Sequence, residues 1–191
     1  MTKLQTIISI AAIIILLSLP SNLCAEPVIW TSGDYEIRND NEWYHIIELQ
    51  TYNDVTVEMF EGTSVNQFSM YNNSELTIYN GTIHYLYLYD NAMASLLAGD
   101  IPGLFYIDPA STVQVKLYAY DITLEPYYYP SNPSWVGYTL YGRWLNNDYD
   151  FNINLVSVGD GVLSHVQIIP EPITLLLLGL GALAGLRRRG R

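Results

Sequence analysis

Carboxylates are the most numerous side chains in this sequence that could carry acid–base chemistry. Asp90, Asp100, Asp108 and Asp121 follow at short intervals and can meet on neighbouring elements. A glycosidase needs two carboxylates that face each other across a groove, and a polysaccharide lyase needs a basic residue beside acidic Ca²⁺ ligands. With 19 Asp and Glu residues in the chain, however, some carboxylate pair always lies close together. The acids alone are therefore no evidence for catalysis.

The other reactive residue types give less support for an enzyme. The histidines, His45, His84 and His165, are far apart and do not have the spacing of metal ligands, and no nucleophile elbow, phosphate-binding loop or dinucleotide fingerprint is present. Lys116 and Arg143 are the only basic residues near the aspartates. We predict that the protein is not an enzyme, has no cofactor and has neither catalytic nor metal-binding residues.

Tyrosines give a better indication of binding. Tyr85, Tyr87 and Tyr89 are two residues apart, so on a strand they share one face while Leu86 and Leu88 point the other way. Aromatic rings with polar neighbours are suited to stacking against sugars. A glycan-stacking ladder at these three tyrosines is the binding hypothesis. The preferred interpretation is that they pack across strands and only stabilise a sheet.

Short strands must position these residues, because apolar and polar side chains alternate along much of the chain. Alternation with a period of two residues predicts an all-β domain. The clearest alternating segments are residues 55–59, 76–78, 86–88, 113–117 and 151–155.

An internal repeat of 18–19 residues organises these strands. Tyr52-Asn53-Asp54 recurs as Tyr71-Asn72-Asn73 and as Tyr89-Asp90-Asn91, and Gly62, Gly81 and Gly99 recur in step. A fixed period with short strands predicts a short parallel β-helix, a solenoid in which each repeat forms one coil. We place the repeats at about residues 52–121 of a domain that spans residues 26–169. The alternative is a β-sandwich with evenly spaced hairpins.

Equivalent positions of the coils are assigned from this period. The assignment places Val57, Leu76 and Val113 at one core position, and Phe68, Leu86 and Leu104 at another. The period is lost after Asp121, where prolines punctuate residues 126–133, so we expect an irregular loop there and final strands that cap the solenoid.

The N-terminus resembles a secretory signal peptide. Lys3 precedes an apolar segment at residues 7–19, and Leu23-Cys24-Ala25 follows a helix-breaking proline. We predict a signal helix in residues 1–25 and cleavage after Ala25. Lipidation of Cys24 is the alternative. Cys24 is the only cysteine, so cleavage would leave a mature chain without disulfides.

The C-terminus combines a polar motif, a short apolar helix and a basic end. Pro170-Glu171-Pro172 precedes apolar residues 173–186, and Arg187, Arg188, Arg189 and Arg191 follow. A helix over residues 173–186 reaches only about 21 Å, less than the ~30 Å of a hydrocarbon core. The arginines place the C-terminus in the cytoplasm. We predict a weakly held transmembrane helix with Glu171 on the outer side. The alternative is a permanent single-pass anchor.

These three parts, in this order, resemble the PEP-CTERM sorting signal of Gram-negative bacteria, a tail also labelled an ice-binding protein C-terminal domain. The resemblance covers residues 170–191. It implies recognition by an exosortase in the inner membrane and delivery to the cell surface or the exopolysaccharide matrix. It implies sorting and not an activity of the domain that precedes it.

Acidic and basic residues are unevenly distributed between the terminal segments and the central domain. Five of the eight basic residues and one of the 19 acids lie in the two terminal segments, so residues 26–169 hold eighteen acids and three bases. Such a domain repels phosphate backbones, and we predict no nucleic-acid partner. We predict an exported, non-catalytic structural or adhesive surface protein, with extracellular polysaccharide as a partner. A carbohydrate-active β-helix enzyme is the alternative.

Overall fold

Alternating side chains form short strands throughout the part of the chain that this computed structural model describes, residues 26–39, 45–159 and 161–170. One 3-10 turn (Val162–His165) is the only helical element among those residues. The strands are β1 (Val28–Trp30), β2 (Gly33–Ile37), β3 (His45–Thr51), β4 (Val55–Met59), β5 (Ser64–Met70), β6 (Glu75–Ile78), β7 (Thr82–Leu88), β8 (Met93–Leu96), β9 (Leu104–Ile107), β10 (Gln114–Tyr128), β11 (Trp135–Trp144), β12 (Asp150–Val158) and β13 (Val166–Ile169).

The strands wind into a parallel β-solenoid of about four turns. Strands β1, β3, β5, β7 and β9 pair in parallel in one sheet, here called the odd sheet. Strands β2, β4, β6, β8 and the start of β10 pair in parallel in the other, the even sheet. The predicted all-β solenoid with coils of 18–19 residues is confirmed, and the sandwich alternative is wrong.

The core consists of columns of side chains, one from each coil. Val57, Leu76, Ala94 and Val115 are register partners in the even sheet, and all four are buried. The pattern Val-Thr-Val-Glu-Met of β4 shows the cause, because its apolar residues are buried and its polar residues face outward. Stacked parallel strands therefore form one continuous core.

The predicted equivalence of core positions is wrong in the last coil. Leu76 is equivalent to Val115 and not to Val113, because the corner between β9 and β10 is two residues longer than the corner between β7 and β8. Leu86 pairs with Phe105 and not with Leu104, because one extra residue lies between Ile101 and β9. The insertion at the corner leaves the flanking strands intact, whereas the extra residue before β9 separates this short strand from the isolated bridge between Thr82 and Asp100.

A hairpin covers the C-terminal end of the odd sheet. Strand β10 leaves the even sheet near Ala119 and pairs antiparallel with β11, which pairs with β12, and β12 joins β9 in parallel. The predicted irregular loop is wrong for residues 126–128, which belong to β10. Pro126 is tolerated there because this half of β10 is an edge strand. The turn itself occupies residues 129–134, and the final strands cap the solenoid as predicted.

The predicted flanking helices, in residues 1–25 and 173–186, lie outside the described residues. Within the described ranges, no helix is long and apolar enough to cross a membrane.

Candidate functional site

One corner of the solenoid carries a repeated set of Asn and Asp side chains. Asn53, Asn72 and Asp90 occupy equivalent places in successive coils, each with a positive φ, of 60°, 57° and 55° respectively. Asn and Asp tolerate this left-handed conformation better than other residues with a side chain. The Tyr-Asn and Tyr-Asp repeats of the sequence therefore mark the turn from the odd sheet to the even sheet, here called the Asx corner.

Hydrogen bonds join the Asx corners of neighbouring coils. Asn73 Nδ2 donates to Asp54 Oδ1 at 3.0 Å, and Asn91 Nδ2 donates to Asn73 Oδ1 at 3.1 Å. The Thr112 hydroxyl continues the line by donating to Asn91 Oδ1. This ladder uses much of the polar capacity of these side chains within the protein.

The Asx corners also line an open groove of about 720 Å³. Asp54, Asp90 and Asp108 lie along it, but no Lys, Arg or His of the described ranges lines it. Asp90 Oδ2 already accepts a hydrogen bond from the backbone N–H of Asn72 at 2.9 Å. Among the described residues, no group of three His, Cys, Asp or Glu side chains is placed to hold a metal ion. The groove is polar and acidic, and it lacks the basic group of a lyase.

Tyrosines stack from coil to coil beside the Asx corner. The Tyr52 and Tyr71 ring centroids are 4.7 Å apart with ring planes 6° from parallel, and those of Tyr71 and Tyr89 are 4.8 Å apart with planes 4° from parallel. Burial, with smaller contributions from neighbouring tyrosines, raises the pKa of Tyr89 to about 12. Burial is also the main cause of the raised pKa of Tyr71. We call these three residues the tyrosine stack.

The three tyrosines of the predicted ladder lie in different surroundings. Leu86 and Leu88 are fully buried, so Tyr85 and Tyr87 face outward from β7 as predicted. Tyr85 is 39% exposed. Tyr87 is half-buried with its ring centroid 6.1 Å from that of Tyr106, and Tyr89 belongs to the tyrosine stack. The Tyr89 ring centroid also lies 5.9 Å from that of Tyr106, so Tyr87 and Tyr89 pack against the same cluster, and Tyr85 is the most exposed of the three.

Aromatic residues of the hairpin pack against this outer face of the odd sheet. The Trp135 ring centroid lies 5.0 Å from that of Tyr106 and 5.3 Å from that of Tyr129. Leu104 and Val156 are buried beneath these rings. Part of the aromatic surface near Tyr87 is therefore occupied in fixing the cap to the solenoid. This cluster was not predicted from the sequence, although Trp135 and the three consecutive tyrosines at 127–129 place four aromatic residues close together in the chain.

The three basic residues of the domain lie away from the groove. Arg38 Nε contacts Glu36 Oε2 at 2.6 Å, and Arg143 Nε contacts Asp150 Oδ1 at 3.0 Å. Lys116 faces outward from β10, between the buried Val115 and Leu117. The acidic groove and these bases therefore do not form one site.

The sorting residues lie at and beyond the end of the described chain. Pro170 is the last described residue and follows β13 directly. Glu171, Pro172 and the arginines at 187–189 and 191 lie outside the described residues, as does the predicted cleavage site at Ala25. Residues 169–190 match the family model of the PEP-CTERM protein-sorting motif. The C-terminal region is a PEP-CTERM sorting motif. The predicted resemblance is confirmed for this segment, which is a small part of the chain.

The motif implies an exported protein whose precursor is anchored in the membrane and meets an exosortase there. No curated protein and no solved structure matches the chain. The sorting motif is thus the feature that links this solenoid to a biological process.

Proposed function

We propose that this chain is an exported, exosortase-sorted protein with a non-catalytic structural or adhesive role at the cell surface or in an exopolysaccharide layer. The observation that carries the proposal is the PEP-CTERM motif at residues 169–190, which directly follows a parallel β-solenoid. The motif provides the route, and the solenoid is a scaffold of repeated coils.

A structural role is supported by how the repeated side chains of the coils are used. The Asx corners are hydrogen-bonded to one another, and the ring faces of Tyr71 are covered by Tyr52 and Tyr89. Side chains that hydrogen-bond or stack with their equivalents in the next coil stabilise the solenoid. They leave few groups free to act on a substrate.

The alternative is a carbohydrate-active enzyme. A glycosidase needs an opposed pair of carboxylic acids, and a polysaccharide lyase needs convergent carboxylates with a basic partner. The groove at the Asx corner is lined by three aspartates and, among the described residues, by no basic side chain. We therefore prefer the non-catalytic role.

Processing at both ends tests the sorting part of the proposal. Mass spectrometry of protein from the cell surface or matrix should find Glu26 as the first residue and should find the segment after residues 170–172 missing. An intact C-terminus in the matrix fraction would contradict exosortase processing. An acylated Cys24 at the N-terminus would replace ordinary cleavage by lipidation.

A polysaccharide contact is the adhesive part of the proposal. Tyr85 is the most exposed tyrosine of the predicted ladder, so a glycan array should show weaker binding for Tyr85→Ala and Tyr87→Ala than for the wild type. Tyr79→Ala is the matched control, because Tyr79 lies at the opposite corner and stacks on Phe60 at 5.0 Å. If the wild type binds no glycan, only the structural role remains.

A further inference from the structure

The last strand of the domain runs directly into the sorting motif. Strand β13 ends at Ile169, which is also the first residue matched by the PEP-CTERM family model. Ile169 still pairs with Tyr118 of β10, and Pro170 follows immediately. Proline has no N–H and cannot extend the ladder. No linker therefore separates the folded domain from the motif.

We propose that β13 is a releasable strap, which must leave β10 before the motif can be processed. This proposal rests on the proposed exosortase sorting. It adds a conformational step within the domain, before any bond is cleaved.

The length of chain between the domain and the membrane gives the first reason. From Ile169 to the predicted helix start at Ile173 the chain spans at most about 14 Å. A domain of this size has a radius of gyration of about 15 Å. With β13 paired, the domain is held against the membrane surface, where it competes for space with a multi-pass enzyme. Peptide-cleaving sites also bind several residues in an extended conformation. While β13 is paired with β10, the residues on the N-terminal side of the motif are not free to bind in such a site.

The weak attachment of β13 gives the second reason. Val166 packs against the core but is only partly buried, Gln167 is exposed, and Ile168 is 41% exposed. Among the described strands it pairs only with β10, over four residues. Strand β8, on the other side of β10, buries Ala94 and Leu96 and has neighbours on both sides. Edge elements with little buried apolar surface open at low free energy.

The segment before β13 determines how much of the chain can detach from the domain. Val162 is buried in the core, and His165 Nδ1 lies 3.0 Å from the Val113 carbonyl oxygen. These contacts hold the 3-10 turn when β13 leaves. The free chain then extends from His165 to Ile173, about 28 Å when fully extended, which is twice the reach of the paired state.

A disulfide that locks β13 tests the proposal in cells that process the full-length precursor. Lys116 and Gln167 are register partners on the outer face, so Lys116→Cys/Gln167→Cys should form a cross-strand disulfide. The matched control is Thr77→Cys/Ser95→Cys, which joins the partners β6 and β8 inside the same sheet and leaves β13 free. The only natural cysteine, Cys24, lies in the predicted signal peptide.

We expect the oxidised β13-locked precursor to lose its C-terminal segment at least about a hundredfold more slowly than the control, because a disulfide strongly suppresses local opening. Adding dithiothreitol should restore processing. Processing of the oxidised locked variant at the control rate would overturn the strap. If the wild type and the control also keep their C-termini, exosortase sorting fails and the strap fails with it.

Hydrogen exchange of the wild-type precursor gives a second measurement that needs no variant. Amides of residues 166–169 should exchange at least about a hundredfold faster than those of residues 93–96 in β8, in accordance with their lower local stability. Equal protection of the two strands would also overturn the proposal. Because this test uses the wild type, it still decides the question if the cysteine variants do not fold.

Discussion

Removal of the central ring of the tyrosine stack should destabilise the solenoid measurably. Tyr71 lies between Tyr52 at 4.7 Å and Tyr89 at 4.8 Å, so Tyr71→Ala removes two stacked contacts at once. Each aromatic pair contributes about 0.5–1.5 kcal/mol beyond its buried area. The half-buried ring adds a transfer contribution of about 1 kcal/mol. The free energy of unfolding should therefore fall by about 2–4 kcal/mol.

Two other tyrosines serve as matched controls for this substitution. Tyr79 has one parallel partner, Phe60 at 5.0 Å, so Tyr79→Ala should cost about half as much. Tyr128 is 70% exposed at the end of β10, and Tyr128→Ala should change stability by no more than about 0.5 kcal/mol. The expected order of the losses is Tyr71, then Tyr79, then Tyr128.

Urea unfolding of the mature protein, followed by circular dichroism, measures these differences. A double-mutant cycle of Tyr52→Ala and Tyr71→Ala should give a coupling energy of about 0.5–1.5 kcal/mol for that ring pair. The reasoning is refuted if Tyr71→Ala costs no more than Tyr128→Ala, or if the cycle gives no coupling. Either result would mean that the parallel rings lie side by side without stabilising the coils.

Three further predictions concern the corners, the core and the response to pH. Gly99→Ala should lower the free energy of unfolding in urea by at least about 2 kcal/mol more than Gly159→Ala does. Both glycines have positive φ, but only at Gly99 would the new Cβ lie 2.7 Å from a backbone oxygen. Leu86→Ala should lower the free energy of unfolding by about 2–5 kcal/mol in the same assay, because the side chain is fully buried. Since burial raises the pKa of Tyr89 from 10 to about 12, its contribution to stability is complete below pH 10 and is lost as the pH rises through 12. Thermal unfolding between pH 8 and 12 should therefore show a shallower decline for Tyr89→Phe than for the wild type.

The solenoid could be predicted because residue types with specific backbone roles recur at its period. Asn53, Asn72 and Asp90 recur where the chain needs a left-handed residue, and the apolar residues between them alternate as strands require. The last coil could not be aligned in this way. Its corner, residues 108–113, is two residues longer than the corner between β7 and β8, and a corner insertion has no effect on the alternation that the sequence reveals.

The repeat places Tyr52, Tyr71 and Tyr89 at equivalent positions of the coils, but the tyrosine ladder was expected along one strand and not across the coils. Tyr85 and Tyr87 are two residues apart on β7, a separation of nearly 7 Å that is too great for face-to-face stacking. Equivalent residues of successive coils lie at the strand spacing of 4.7–4.9 Å, which matches the measured ring separations in the stack. The tyrosine that precedes each Asx corner was the available signal.

Coil-to-coil stacking also determines where this surface can meet another molecule. A ring face that touches the next coil cannot stack on a sugar, so Tyr71 is unavailable although it is an aromatic residue near the surface. Among the described residues, the exposed tyrosines outside the regular coils are Tyr128, Tyr141 and Tyr149, on the hairpin and the turn beside it. A contact made by the coils must use the few rings that stacking leaves free, with Tyr85 as the clearest example. The remaining exposed rings of the described residues belong to the cap, which lies at the same end of the solenoid as β13, where the sorting motif begins.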